Sequence, residues 1–179
     1  MPFSDGSNIE WAKWLITELK PTTVVDVGPG AGKYGSIVRE LLPDTKTTAV
    51  EIWEPYVETY GLRSIYDEVF ITDARTFDDY SVDLVILGDV LEHMSREDAL
   101  ALWDKIRSQA KAAVISIPII HFPQGHEHGN PYEEHVVDDW CHDSIMASFD
   151  GITGYRTFQV TGSYVAEFNK PHTQPETSL

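Results

Sequence analysis

The 179-residue chain has a single cysteine, Cys141. No internal disulfide can form, so the fold must rest on its core, and the chain suits a reducing compartment such as the cytoplasm. Positive charge is scarce: 13 Lys and Arg stand against 29 Asp and Glu, a net charge of −16. No basic cluster interrupts this excess. That argues against nucleic acid as a partner, because sequence-independent affinity for it comes from cations neutralising phosphates. No apolar run approaches the roughly 18–20 residues of a membrane span. The opening Met1-Pro2-Phe3-Ser4-Asp5-Gly6 lacks the basic start and apolar stretch of a signal peptide. Repeats and linker-like segments are also lacking, so residues 1–169 read as one domain and the polar 170–179 as a fraying tail. What remains, 42% hydrophobic residues, is enough for one sizeable core.

Ser7-Asn8-Ile9-Glu10 reads as a capping box, followed by Ile9, Ala12, Leu15, Ile16 and Leu19 at helical spacing and stopped by Pro21. Strands are expected at 22–27, 47–52, 69–71, 82–87 and 112–117. Helices are expected through Ile37 to Leu42, from Pro55, from Ser95 to Gln109 with Ser95 and Asp98 as cap, and over 138–149. Two final strands, 155–160 and 164–168, flank Thr161-Gly162-Ser163. So short a connection permits only an antiparallel hairpin. The fold class is therefore α/β: a doubly wound, mostly parallel seven-stranded sheet with helices on both faces and a C-terminal antiparallel hairpin.

The first strand ends in Asp26-Val27-Gly28-Pro29-Gly30-Ala31-Gly32. Glycines let a backbone pass close to a ligand where a Cβ would collide. A P-loop needs four residues between its glycine and Gly-Lys. Here Gly28 and Gly32-Lys33 are one residue too close, and Tyr34 stands where Ser or Thr belongs. The dinucleotide fingerprint G-x-G-x-x-G needs a third glycine where Lys33 stands. The pattern D-x-G-x-G-x-G fits completely.

On this motif the chain resembles the class I S-adenosylmethionine-dependent methyltransferases, over nearly all of residues 7–169. The resemblance implies a glycine loop, Gly28, Pro29, Gly30 and Gly32, under the methionine part of the cofactor, with Asp26 near its ammonium group. It also implies Glu51 on the ribose hydroxyls, Asp73-Ala74 at the adenine amino group and Asp89 near the methionine end. Trp53, close behind Glu51, is a candidate for stacking near adenine. Tyr34 and Tyr132 are further pocket candidates. Trp11, Trp14 and Trp103 read as packing residues, and Cys141 as a small buried hydrophobe.

Gly88-Asp89-Val90-Leu91-Glu92-His93-Met94 follows the fourth strand at the carboxyl end of the sheet, where open α/β folds bind ligands. This segment resembles one in the ubiquinone-biosynthesis and small-RNA 2′-O-methyltransferases, some of which hold a divalent cation there together with a later His. Asp89 stands where those patterns have Glu. Five of the seven histidines fall between 118 and 142, and His135, shortly before Trp140, best matches the later ligand. The implied metal set is Asp89, Glu92, His93 and His135, for Mg, Mn or Zn. A cation would lower the pKa of an acceptor hydroxyl. Without one, His93, His121 or His135 can serve as general base, with Glu92 beside them. Alternatively, Glu92 and His93 merely hold the loop and the histidines form a polar lid.

The expected reaction is methyl transfer to a small or exposed, glycan-like acceptor, most readily at oxygen: a sugar, a phenol, a carboxylate or a nucleotide end. The competing readings are an NAD(P)-dependent oxidoreductase or epimerase, and a non-catalytic module that keeps the fold. Periodicity does not decide between a monomer and a homodimer.

Overall fold

A computed structural model describes residues 6–168. Seven strands form one sheet in the order β3-β2-β1-β4-β5-β7-β6. They are β1 (Thr23–Val27), β2 (Lys46–Glu51), β3 (Glu68–Ile71), β4 (Leu84–Gly88), β5 (Ala112–Pro118), β6 (Ile152–Thr157) and β7 (Thr161–Glu167). The first five run parallel, and β7 is antiparallel to both its neighbours. The helices are α1 (Ile9–Leu19), α2 (Lys33–Leu41), α3 (Glu54–Thr59), α4 (Leu62–Ile65), α5 (Arg96–Gln109) and α6 (His142–Ser148). Among the described residues no helix is long and apolar enough to cross a membrane.

Successive side chains of a strand point to opposite faces, so a strand covered on both sides must be apolar throughout. In β4, Leu84 and Ile86 join the core under α1 and α2, while Val85 and Leu87 join the core under α5 and α6. The cover follows from helical spacing: Ala99, Leu102, Trp103 and Ile106 make one buried stripe on α5, whose first turn is capped by Ser95 Oγ accepting the Asp98 N–H.

Several boundaries differ from the sequence reading. Helix α1 starts at Ile9, after a 3-10 turn over Gly6–Asn8, so that Asn8 and not Ser7 holds the N-cap position, and the Asn8 side chain does not cap the helix. Its amide is drawn into the core instead, onto Tyr34, Ser116 and Ser163. Thr161, Gly162 and Ser163 belong to β7, and the hairpin turns at 158–160. Helix α6 is shorter than expected because 137–138 serve the loop before it, through Val137 N–H to the Glu92 carbonyl and Phe122 N–H to the Asp138 carbonyl. Trp103 is core as expected, but Trp14 is 55% exposed, and Cys141 is exposed at the start of α6. The tail expected at 170–179 lies outside the described residues.

Gly35 lies inside α2, where its N–H donates to the Tyr66 hydroxyl. A Cβ at Gly35 would overlap the Tyr66 phenol. In an ordinary helix interior, Gly→Ala adds about 1 kcal/mol. Here Gly35→Ala is expected to lower stability by roughly 1–3 kcal/mol through overpacking, measured by urea unfolding. A stabilised variant would contradict this packing.

Candidate active site

The sheet order reverses between β1 and β4, and at such a switch point two loops diverge and leave a cleft. An open cleft of about 850 Å³ lies there, over the carboxyl ends of β1, β2 and β4. The loop after β1 forms one wall. Gly28, Gly30 and Gly32 have φ of 58°, 53° and 77°, a left-handed alternation that residues with a Cβ adopt at a cost. Gly28, Pro29 and Gly30 line the cleft. Gly32 does not: it starts α2, and a Cβ there would meet Ile65 Cδ1 at 2.6 Å. The motif thus divides into ligand-facing glycines and a packing glycine.

Asp26 lies beneath this loop rather than in its wall. It is 1% exposed, and its Oδ2 accepts the Tyr66 hydroxyl at 2.5 Å. Burial raises its pKa to about 7, against the opposing effects of that hydroxyl and the Lys33 charge. Glu51 ends β2, buried but lining the cleft, with Oε1 accepting the Trp53 N–H at 2.7 Å. Burial likewise lifts it to about 7. Trp53 itself is not in the wall. Its ring faces Tyr132, 6.1 Å away, and Ile52 and Tyr56 take the lining positions.

Asp73 and Ala74 line the opposite side. Both Asp73 oxygens take the Arg75 guanidinium, at 2.6–3.0 Å, which holds the carboxyl below its ordinary pKa. Asp89, just past β4, lines the cleft with φ 57°. Its N–H donates to the Ser116 carbonyl at 2.7 Å, and its Oδ1 accepts the Ser116 hydroxyl at 3.3 Å. Tyr34 sits below this floor: a Cβ on Gly88 would overlap its ring.

The 3-10 turn Leu91–His93 brings a second group to the edge of the cleft. Glu92, His93 and His135 present ligand atoms within 4.8 Å of one another. Backbone carbonyls hold both rings by Nδ1: Glu134 O at 3.0 Å from His93, and Phe122 O at 2.6 Å from His135. Nε2 is left as the lone-pair nitrogen of each neutral ring. Burial lowers the His93 pKa to about 4, depresses His135, and raises Glu92 well above a normal carboxylate. Glu92 is 1% exposed, and neither of its carboxylate oxygens finds a hydrogen-bond partner among the described residues. Asp89, expected in the ligand set, is in the cleft wall and not in this cluster. His121 is elsewhere, on the surface 3.6 Å from Asp138.

The loop between β5 and α6 closes the cleft with Asn130, Tyr132 and Glu133, of which the sequence singles out only Tyr132 as a pocket candidate. Asn130 Oδ1 caps the turn by accepting the Tyr132 N–H at 2.9 Å, and Tyr56 donates to Glu133 Oε1 at 2.9 Å. Asn130-Pro131 is a turn-initiating pair, so the turn itself was legible; its docking on α3 was not.

The Asp26 pKa has a consequence for stability. The folded chain keeps the proton up to about pH 7, whereas an unfolded chain releases it near pH 4. Between the two the folded state binds more protons, so this contribution to stability is present at low pH and lost as pH rises. Without ligand, Asp26→Asn should therefore gain melting temperature relative to the unchanged protein as pH rises from about 5 to about 8. A difference that stays flat across that range would contradict the burial argument.

Residues 25–112 match the family described as a methyltransferase domain. No curated protein matches the chain in sequence. Among solved structures, an S-adenosylmethionine-dependent methyltransferase from Clostridium acetobutylicum superposes with a TM-score of 0.71 at 12% identity, over 93% of this chain and 94% of that one. The 1,6-didemethyltoxoflavin-N1-methyltransferase of Burkholderia thailandensis, solved with its substrate and S-adenosylhomocysteine, gives 0.67 at 15% identity over 93% and 80%. The mitomycin 7-O-methyltransferase gives 0.63 at 14% identity over 89% of this chain and 54% of that one, so the chain spans about half of that relative. At these identities the likeness is one of fold. The strand order with its antiparallel β7 also departs from the 3-2-1-4-5-6 order of dinucleotide-binding domains. Residues 25–112 thus carry a methyltransferase-domain match, and the whole described chain has the Rossmann-like fold of the class I S-adenosylmethionine-dependent methyltransferases.

Proposed function

We propose that the chain transfers the methyl group of S-adenosylmethionine to an oxygen of a small or exposed, glycan-like acceptor, and that the Glu92–His93–His135 cluster activates that oxygen. Glu51 would take the ribose hydroxyls, with Ile52, Asp73 and Ala74 around the adenine. Gly28 to Gly30 and Asp89 would take the methionine end. The wall suits this donor electrostatically: Glu51, Asp73, Asp89 and Glu133 face a cleft in which, among the described residues, the only Lys or Arg is Arg75, already held by Asp73. A sulfonium with an ammonium group is attracted there, and a phosphate-bearing acceptor is not.

The fold does not select the acceptor atom, since an N1- and a 7-O-methyltransferase share it. The observation that carries the oxygen reading is Glu92. Among the described residues both of its buried carboxyl oxygens lack a partner, which costs free energy unless something occupies them. Two imidazoles fixed by Nδ1 stand beside it, the arrangement that orients histidines toward a cation. Glu92, His93 and His135 fit a divalent ion such as Mn, Zn or Mg. Bound there, the ion would supply the acidity that makes an alcohol or phenol lose its proton. His93 alone reaches the cleft wall, and burial keeps its ring neutral. A second reading follows from that: His93 takes the acceptor proton itself, with His135 and Glu92 behind it.

Titration of metal-stripped protein with Mn, Zn and Mg separates the two. One equivalent is expected to bind, and Glu92→Gln and His135→Ala should each weaken it by at least about 100-fold. Transfer of labelled methyl to sugar and phenol acceptors should stop on chelation. Transfer that survives chelation but falls with His93→Ala would establish the histidine as the base. Methyl transfer indifferent to all three residues would refute both readings.

A further inference from the structure

Asn8 is 1% exposed and lies outside the cleft, in the 3-10 turn before α1. A buried primary amide has two donors and one acceptor to satisfy. Its Oδ1 accepts Lys33 Nζ at 3.4 Å. Its Nδ2 lies 2.8 Å from Ser116 Oγ, 3.0 Å from the Tyr34 hydroxyl and 3.3 Å from Ser163 Oγ. An ammonium group can only donate, so Lys33 fixes which end of the amide is oxygen. Nδ2 must then face the hydroxyls.

The donors therefore run in one direction. Asn8 donates to Ser116, and Ser116 donates to Asp89 Oδ1 at 3.3 Å. Asp89 is held at the other end by its own N–H on the Ser116 carbonyl, at 2.7 Å. This clamp secures a residue whose φ of 57° is uncommon outside glycine. Such conformations persist only where the surroundings over-determine them, and they gather at ligand sites. Asp89 forms part of the cleft wall beside Gly28.

Resting on the reading that the cleft takes S-adenosylmethionine, we propose that Asn8 is a positioning residue which, through Ser116, holds the Asp89 carboxylate on the ammonium group of the cofactor's methionine end. The 3-10 turn before α1 thereby governs affinity for the amino-acid half of the cofactor, and leaves its nucleoside half to Glu51 and Asp73. Tyr34 and Ser163 share the amide and keep it from rotating away from Ser116.

Two ligands test this in the full chain. S-adenosylhomocysteine carries the amino acid; 5′-methylthioadenosine keeps the nucleoside and the sulfur but lacks it. Asn8→Ala should weaken S-adenosylhomocysteine about 10-fold, the loss of roughly one charge-assisted hydrogen bond, and leave methylthioadenosine within about twofold. In an Asp89→Asn background the same substitution should add nothing, since the path it acts through is gone. If Asn8→Ala does not fold, Ser116→Ala removes only the linking hydroxyl and must give the same split. Equal weakening of both ligands, or additive effects in the double variant, would overturn the inference alone. Failure of the unsubstituted chain to bind either ligand would overturn the cofactor reading, and this inference with it.

Discussion

The turn between β1 and α2 has to leave a parallel strand, pass the end of β4 and enter a helix while keeping its backbone close to the cleft. Three left-handed glycines make the turn, Gly28 and Gly30 in the cleft wall and Gly32 against Ile65, and the rest of the site follows from where they leave the backbone. A side chain on Gly28 would meet Val90 Cγ2 at 2.9 Å, on the segment that carries Asp89 and Glu92. One on Gly32 would push Ile65 and so disturb α4, which ends beside Tyr66 and its bond to Asp26. The loop after β1 and the loop after β4 are thus packed against each other, and neither can shift alone. A close-packed interior transmits such a change instead of absorbing it.

Around that turn the protein concentrates carboxyl groups where water is scarce. Asp26, Glu51 and Glu92 are each buried, and each is pushed upward by desolvation. Their partners differ, and so do their roles. Asp26 has Oδ2 bonded by the Tyr66 hydroxyl beneath the loop, and its Oδ1 has no hydrogen-bond partner among the described residues. Glu51 has one oxygen on the Trp53 N–H at the cleft wall. Glu92 has no protein donor among the described residues and stands with two oriented imidazoles. Of the three, only Glu92 has neither oxygen hydrogen-bonded among the described residues, and perturbed carboxyls of this kind gather at functional sites.

The fold was legible because its signals are local. β-branched runs, the glycine turn and the Ser95 cap are each written within a few residues; all seven strands exist as the pattern predicts, with the final hairpin shifted about three residues toward the N-terminus. The failures share one cause, which is partners far away in sequence. Ser7 looked like a cap, but its neighbour Asn8 is taken by Tyr34, Ser116 and Ser163, at separations of 26, 108 and 155 residues. Tyr56 and Glu133 meet across 77 residues, and no spacing rule joins them. Trp53 was placed near adenine because it follows Glu51; the turn into α3 sends it toward Tyr132 instead. Of the histidine-rich stretch, His135 reaches the Glu92 cluster because Phe122 O holds its ring, while His121 stays at the surface. Local pattern identified the candidates, and tertiary hydrogen bonds chose among them.

The proposed site turns on Glu51 holding the nucleoside of S-adenosylmethionine. Calorimetric titration of the product, S-adenosylhomocysteine, into the unsubstituted chain and into Glu51→Ala tests it directly. A dissociation constant in the range of about 1 μM to 1 mM is expected for the former, as for ordinary enzyme ligands. A loss of about 10-fold or more is expected in the variant, as two hydrogen bonds to the carboxyl group disappear. Equal affinity in both, or no heat from either, would contradict it.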